Sequence, residues 1–145
     1  MTFSGRISEI GDIKIKSSLY EKVVKRQRSK SVVMYISQSE YDQFILPYFN
    51  NNENKLPYNL EFCDSNLNID DLVNKLNLNA SEVLITAWSS KPIPSDICSH
   101  VPTLRYISHI TGTVRSIIPR NIIEQGIVVT NWGDSIARTV AEHCL

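Results

Sequence analysis

From Ser31 to Thr130 the chain alternates short apolar runs with helix-patterned stretches, and no other feature limits its possible folds as strongly. Val32-Val33-Met34-Tyr35-Ile36 is continuous, apolar and rich in β-branched residues. Such a run reads as a strand buried on both faces, because helices cover a parallel sheet from both sides. Leu60-Glu61-Phe62-Cys63, Val83-Leu84-Ile85-Thr86-Ala87, Tyr106-Ile107-Ser108-His109-Ile110 and Ile127-Val128-Val129-Thr130 follow as four further strands. Strands that alternate with helices form βαβ units, and right-handed crossovers place helices on both faces of the sheet. The expectation is an α/β fold: a flavodoxin-like, doubly wound, parallel five-stranded sheet in the order 2-1-3-4-5.

The helical stretches carry their own boundary signals. Ser39 is placed to cap a helix with Phe44, Ile45, Tyr48 and Phe49 on one face, and Pro47 should end or kink it. Asn50 to Asn54 reads as a polar loop. Asn68 precedes Ile69, Leu72, Val73 and Leu76, whose spacing is that of one helix face. Pro94 opens a short turn in which Ile97, Cys98 and Val101 point inward. Pro119 opens another helix, and Gly126 is placed to close it. A final helix starts at Asp134 or Ser135 with an apolar stripe of Ile136, Ala137, Val140, Ala141, Cys144 and Leu145. The stripe predicts an apolar patch exposed along this helix; the alternative is a C-terminal helix docked on the sheet.

Composition then excludes several classes. The chain has 145 residues, 42% of them hydrophobic and 21% charged, with a net charge of zero. That suits one domain with a core and gives no whole-protein attraction to polyanions, so neither nucleic acid nor membrane is expected as a partner. No apolar run reaches the roughly 18 residues of a membrane span. Three scattered cysteines, Cys63, Cys98 and Cys144, suit reduced thiols in a cytoplasm. Residues 1–30 stand apart: Lys14, Lys16, Lys22, Lys25, Arg26, Arg28 and Lys30 are concentrated there. A basic arm for an anionic surface and a solvated leader helix both fit, but the charges lack the succession of aromatics that a stacking platform needs. The expected division is a basic leader (1–30), a substrate-binding α/β domain (31–134) and the start of an inter-domain helix (135–145).

In an open α/β sheet, ligands meet the loops at the carboxyl ends of the strands. Those loops are Ala87-Trp88-Ser89-Ser90, Ile110-Thr111-Gly112-Thr113 and Asn131-Trp132-Gly133-Asp134. Gly112 follows strand four directly, where a missing Cβ lets a ligand approach the backbone and exposed amides suit a small carboxylate. A plain strand-to-loop turn is the other reading. Cys98, His100 and His109 match no zinc spacing, and His143 reads as a helix-surface residue. No two of the five glycines are separated by one residue, so G-x-G-x-x-G is absent.

The segment from Glu82 to Leu145 resembles the D-isomer-specific 2-hydroxyacid dehydrogenases. The resemblance is carried by VLITAWSSKPIPSDICSHVPTLRYISHITGTVRSIIPRNIIEQGIVVTNWGDSIARTVAEHCL. Within it are Pro102-Thr103-Leu104-Arg105 before strand four, the Thr111-Gly112-Thr113 turn, Glu124 to Val129, and Val140-Ala141-Glu142-His143. The chain departs from the family pattern at Val114-Arg115 and at Ser135 to Arg138, so substrate identity stays open. The resemblance implies an oxidoreductase that moves a hydride between NAD or NADP and a small 2-oxo or 2-hydroxy acid, in a homodimeric parent. It implies that Thr111 and Gly112 hold the substrate carboxylate, with Trp88 and Ser89 nearby. It also implies that the catalytic residues and the cofactor site lie beyond Leu145, so this chain alone binds no cofactor and is inactive. A non-catalytic flavodoxin-like module that binds carboxylates, regulates or docks a partner is the alternative.

Overall fold

A computed structural model describes residues 30–50, 58–135 and 137–143; the basic leader up to residue 29, the polar loop at 51–54, and Ile136, Cys144 and Leu145 lie outside the described residues, as do the side chains of Asn50, Arg138 and His143. The chain divides into two units, Met1–Lys30 and Ser31–Leu145, and all the described residues except Lys30 belong to the second.

The strands are β1 (Lys30–Ile36), β2 (Tyr58–Asp64), β3 (Val83–Thr86), β4 (Tyr106–His109) and β5 (Val128–Thr130). They form one parallel five-stranded sheet in the order β2-β1-β3-β4-β5. This is the doubly wound order anticipated from the alternation. The helices are α1 (Gln38–Glu40), α2 (Leu46–Asn50), α3 (Ile69–Leu78), α4 (Ile97–His100), α5 (Arg120–Glu124) and α6 (Ala137–His143).

Strand register explains why the apolar runs are continuous. Val33, Leu84, Ile107 and Val129 are successive partners across the sheet. The first three are fully buried, and their face packs on Leu72 and Leu76 of α3, Ile97 of α4 and Ile122 of α5. The row one residue further on, Met34, Ile85, Ser108 and Thr130, points the other way. That face is covered around β1 by Tyr41 and Ile45, which pack with Met34, Ile36 and Ala87. Cover fades toward the β5 edge, where Val128 is 58% exposed. On α6, Ala137, Val140 and Ala141 are exposed. No helix among the described residues is long and apolar enough to cross a membrane.

Several boundary signals act as read. Asn68 caps α3 in a reciprocal box with Asp71. Gly126 closes α5 with φ +93°, and its amide donates to Ile123 while that of Ile127 donates to Ile122. Ser39 is not the first cap: Ser37 is, boxed with Glu40. Pro47 does not end its helix. A π-helical turn at Tyr41–Ile45 precedes it, in which the Leu46 amide reaches back to Tyr41. The wider turn relieves the clash a proline ring meets in a regular helix. The distortion also changes which aromatic faces the sheet: Tyr41 stacks edge-on against Phe62 at 5.3 Å, while Tyr48 is 71% exposed.

Candidate functional site at the carboxyl edge of the sheet

The strand order reverses between β1 and β3, and the crevice there is where a doubly wound sheet commonly takes its ligand. In this chain the crevice is filled from within. Ser37 follows β1, and its box places Glu40 one turn later, facing the loop after β3. The Glu40 carboxylate accepts from the Ser89 amide at 3.0 Å, from the Ser37 amide at 3.2 Å and from the hydroxyls of both serines. The Ser65 hydroxyl at the end of β2 donates to that of Ser89 at 3.0 Å. Glu40 is only 8% exposed. Burial pushes its carboxyl pKa up, but the hydrogen bonds from Ser89 and Ser37 outweigh burial and hold it below the ordinary 4.5. It therefore stays an anion, and the two amides that could receive an external anion are committed to it.

The second feature lies under the Gly112 turn. Thr86 and His109 are register partners on β3 and β4, so their side chains lie side by side on one face. Thr86 Oγ1 and His109 Nδ1 are 3.0 Å apart, and Thr111 Oγ1 lies 2.5 Å from His109 Nε2. A backbone hydrogen bond links the ring to Thr113. His109 and Thr111 are buried at 1% and 0% exposure. Burial lowers the His109 pKa, against smaller upward pulls from the Thr113 bond and the Glu40 charge. A neutral ring with both nitrogens engaged thus pins the turn from beneath.

The third feature is the turn itself. The Asn131 side-chain amide donates to the Gly112 carbonyl, and the Trp132 amide donates to that of Thr111 at 3.4 Å. The loop after β5 therefore holds the loop after β4. Gly112 does not have a left-handed φ, and a Cβ built on it meets nothing within 4 Å. Among the described residues no acceptor is bonded to its amide. Around the Cβ position of Gly112 there is open space, and three aromatic rings cluster at the same edge of the sheet. Phe44 and Trp88 stack edge-on at 5.9 Å, Phe44 and Trp132 at 6.2 Å, and Trp88 and Trp132 at 6.3 Å.

The four residues anticipated as substrate-binding therefore part company. Gly112 is half-buried at the turn, Thr111 is buried beneath it on His109, and Trp88 joins the ring cluster with Trp132. The Ser89 side chain turns instead to Glu40. Glu40 is not among the anticipated site residues, although Ser37-x-x-Glu40 has the spacing of a capping box. Phe44 is anticipated only as part of an apolar helix face, and Asn131 and Trp132 only as part of the ligand-meeting loop after strand five. His109 was weighed only as a metal ligand, and among the described residues no group of three or more His, Cys, Asp or Glu side chains is arranged to hold a metal.

The buried histidine carries a pH prediction. A base whose folded-state pKa lies below its ordinary 6.5 contributes fully above that value. Its contribution falls as the pH drops from there toward the folded-state pKa, because only the unfolded chain takes up the proton readily. Urea unfolding at about pH 7.5 and about pH 5.5 should show a loss of stability that is smaller in His109→Gln. Equal losses in the two proteins would show that His109 does not carry this window.

No protein-family model matches the chain, and no curated protein matches it.

Proposed function

We propose that the chain is the substrate-binding portion of a D-2-hydroxyacid dehydrogenase, with the Thr111–Gly112 turn receiving the carboxylate of a 2-oxo or 2-hydroxy acid. The observation that carries this reading is the Gly112 turn. It sits at the carboxyl end of β4 beneath open space, with an amide bonded to no acceptor among the described residues, and Asn131, Trp132 and His109 fix it in place. Donors fixed before the ligand arrives bind an anion without the cost of ordering them.

A dinucleotide does not fit these residues. The sequence has no G-x-G-x-x-G, and the amides of Ser37 and Ser89 at the switch point are already bonded to Glu40. The NAD or NADP of the proposed reaction, and its acid–base groups, would have to come from protein other than these residues. What this chain supplies is orientation of the acid.

Calorimetric titration of the 145-residue chain with pyruvate tests the reading. Binding should be saturable and should be lost when the carboxylate is replaced by a neutral amide. Gly112→Val is the matching variant. It places branched carbons where the chain has none, so the fold should survive while affinity falls about tenfold or more, equivalent to about 1.4 kcal/mol. A variant that binds as well as the parent sequence would move the carboxylate elsewhere.

A second reading is a non-catalytic carboxylate-binding module on the same sheet, and the internally filled switch point favours it. A signalling receiver, one form of such a module, would need an accessible acidic cluster at the end of β1, whereas Glu40 there is buried and engaged by Ser37 and Ser89. Saturable NADH binding by this chain would contradict both readings.

A further inference from the structure

Phe44, Trp88 and Trp132 need an explanation that packing does not supply. They come from the π-helical turn after β1, the loop after β3 and the loop after β5. None of them belongs to either apolar cluster of the sheet. Trp88 is 61% exposed, yet its ring is held edge-on to both of the others. Edge-to-face contacts fix such rings while leaving π-faces open for a further apolar group. A half-buried aromatic cluster with an exposed Trp88, gathered from three separate segments on the edge where a doubly wound sheet meets ligands, suits a recognition surface.

Its location narrows what is recognised. The Trp132 amide bonds the Thr111 carbonyl, and the neighbouring Asn131 side chain bonds that of Gly112. The loop that carries the Trp132 ring is therefore tied to the turn that would hold a carboxylate. In a 2-oxo acid the side chain begins on the carbon next to the carbonyl that bears the carboxylate. An acid held at Gly112 thus presents its side chain at the same sheet edge as the rings. We infer that the site selects 2-oxo acids with an aromatic or bulky apolar side chain, which packs on Phe44, Trp88 and Trp132. The inference rests on the carboxylate reading of Gly112 and adds the substrate class to it.

Both tryptophans of the chain lie in this cluster, so intrinsic fluorescence reports occupancy without any cofactor or turnover. The test titrates the full chain, by calorimetry and by fluorescence, with phenylpyruvate, pyruvate and the neutral ketone 4-phenyl-2-butanone. Phenylpyruvate should bind about tenfold or more tighter than pyruvate, the scale of one added aromatic contact with its buried area. Trp88→Ala, at an exposed position, should abolish that preference, bringing phenylpyruvate to the affinity that the same variant shows for pyruvate. Equal affinities for the two acids, or a preference that survives Trp88→Ala, would overturn the inference and leave the carboxylate reading standing. A neutral ketone that binds as tightly as phenylpyruvate would overturn the carboxylate reading, and with it the inference. Binding of neither acid would overturn both.

Discussion

Glu40→Ala is expected to lower the stability of the sheet domain by about 3 kcal/mol. Two losses add. The Ser89 amide loses its acceptor, and an orphaned donor away from water costs about 1–3 kcal/mol. The hydroxyls of Ser37 and Ser89 also lose the carboxylate as acceptor, worth about 1 kcal/mol more, while the Ser37 cap of the residue-40 amide stays. The Ser37 amide is spared, since Ser89 Oγ accepts from it at 2.8 Å. Glu40→Gln keeps the volume and one acceptor oxygen, so it should cost less than the alanine variant. It should also remove an acid window. A carboxyl held below its ordinary 4.5 in the fold contributes fully above that value, and the contribution is lost as the pH falls through the folded-state pKa. Urea unfolding of all three proteins near neutral pH and near pH 4 would check both points. An alanine variant as stable as the parent sequence would mean that water replaces the carboxylate at no cost, and the switch point would then be open to ligands.

Leu84→Ala should be comparably severe, at about 3 kcal/mol within the usual 2–5 kcal/mol for such a truncation. Leu84 lies on β3 between Val33 and Ile107, at 0% exposure, with helices packed over its face. The neighbouring strands are held by backbone hydrogen bonds and cannot collapse into the space, so the cavity persists. Small domains have only about 5–15 kcal/mol in hand, so this single change removes a large share of the total. Leu78→Ala is the control. Leu78 is 87% exposed at the end of α3, and its truncation should shift stability by no more than about 0.5 kcal/mol. If Leu84→Ala also cost less than about 1 kcal/mol, the sheet would not be the core of the domain.

The fold was legible because its signals are local. A strand buried on both faces must be largely apolar: Val32 to Ile36 is so throughout, and Val83 to Ala87 departs only at Thr86, whose hydroxyl meets His109. Asn68 and Gly126 could be read because a side-chain cap and a left-handed residue are requirements of the backbone beside them. Where the same requirement is met by an unusual residue, the reading stops. Ala80 has φ +45° after α3, and the Ser81 amide bonds back to Leu76 much as that of Ile127 does to Ile122 after Gly126. Nothing about an alanine announces that role. Ser37 and Ser39 are equally good caps in isolation. The choice falls to Ser37 because its partner Glu40 also finds Ser89, which is remote in sequence.

The sequence by itself thus determined the five strands, their parallel order and a turn at Gly112, since each depends on residue type and spacing over a few positions. Only the tertiary structure decided what stands at the carboxyl edge. Glu40 meets Ser89, Thr86 meets His109, and Phe44 meets Trp88 and Trp132 across separations that no periodicity spans. Each meeting follows from the register and crossovers of the sheet, which bring the ends of β1, β3, β4 and β5 to one edge. A charge or a ring has no fixed consequence until that edge has formed, because burial and partners decide whether a carboxylate fills a site or serves one.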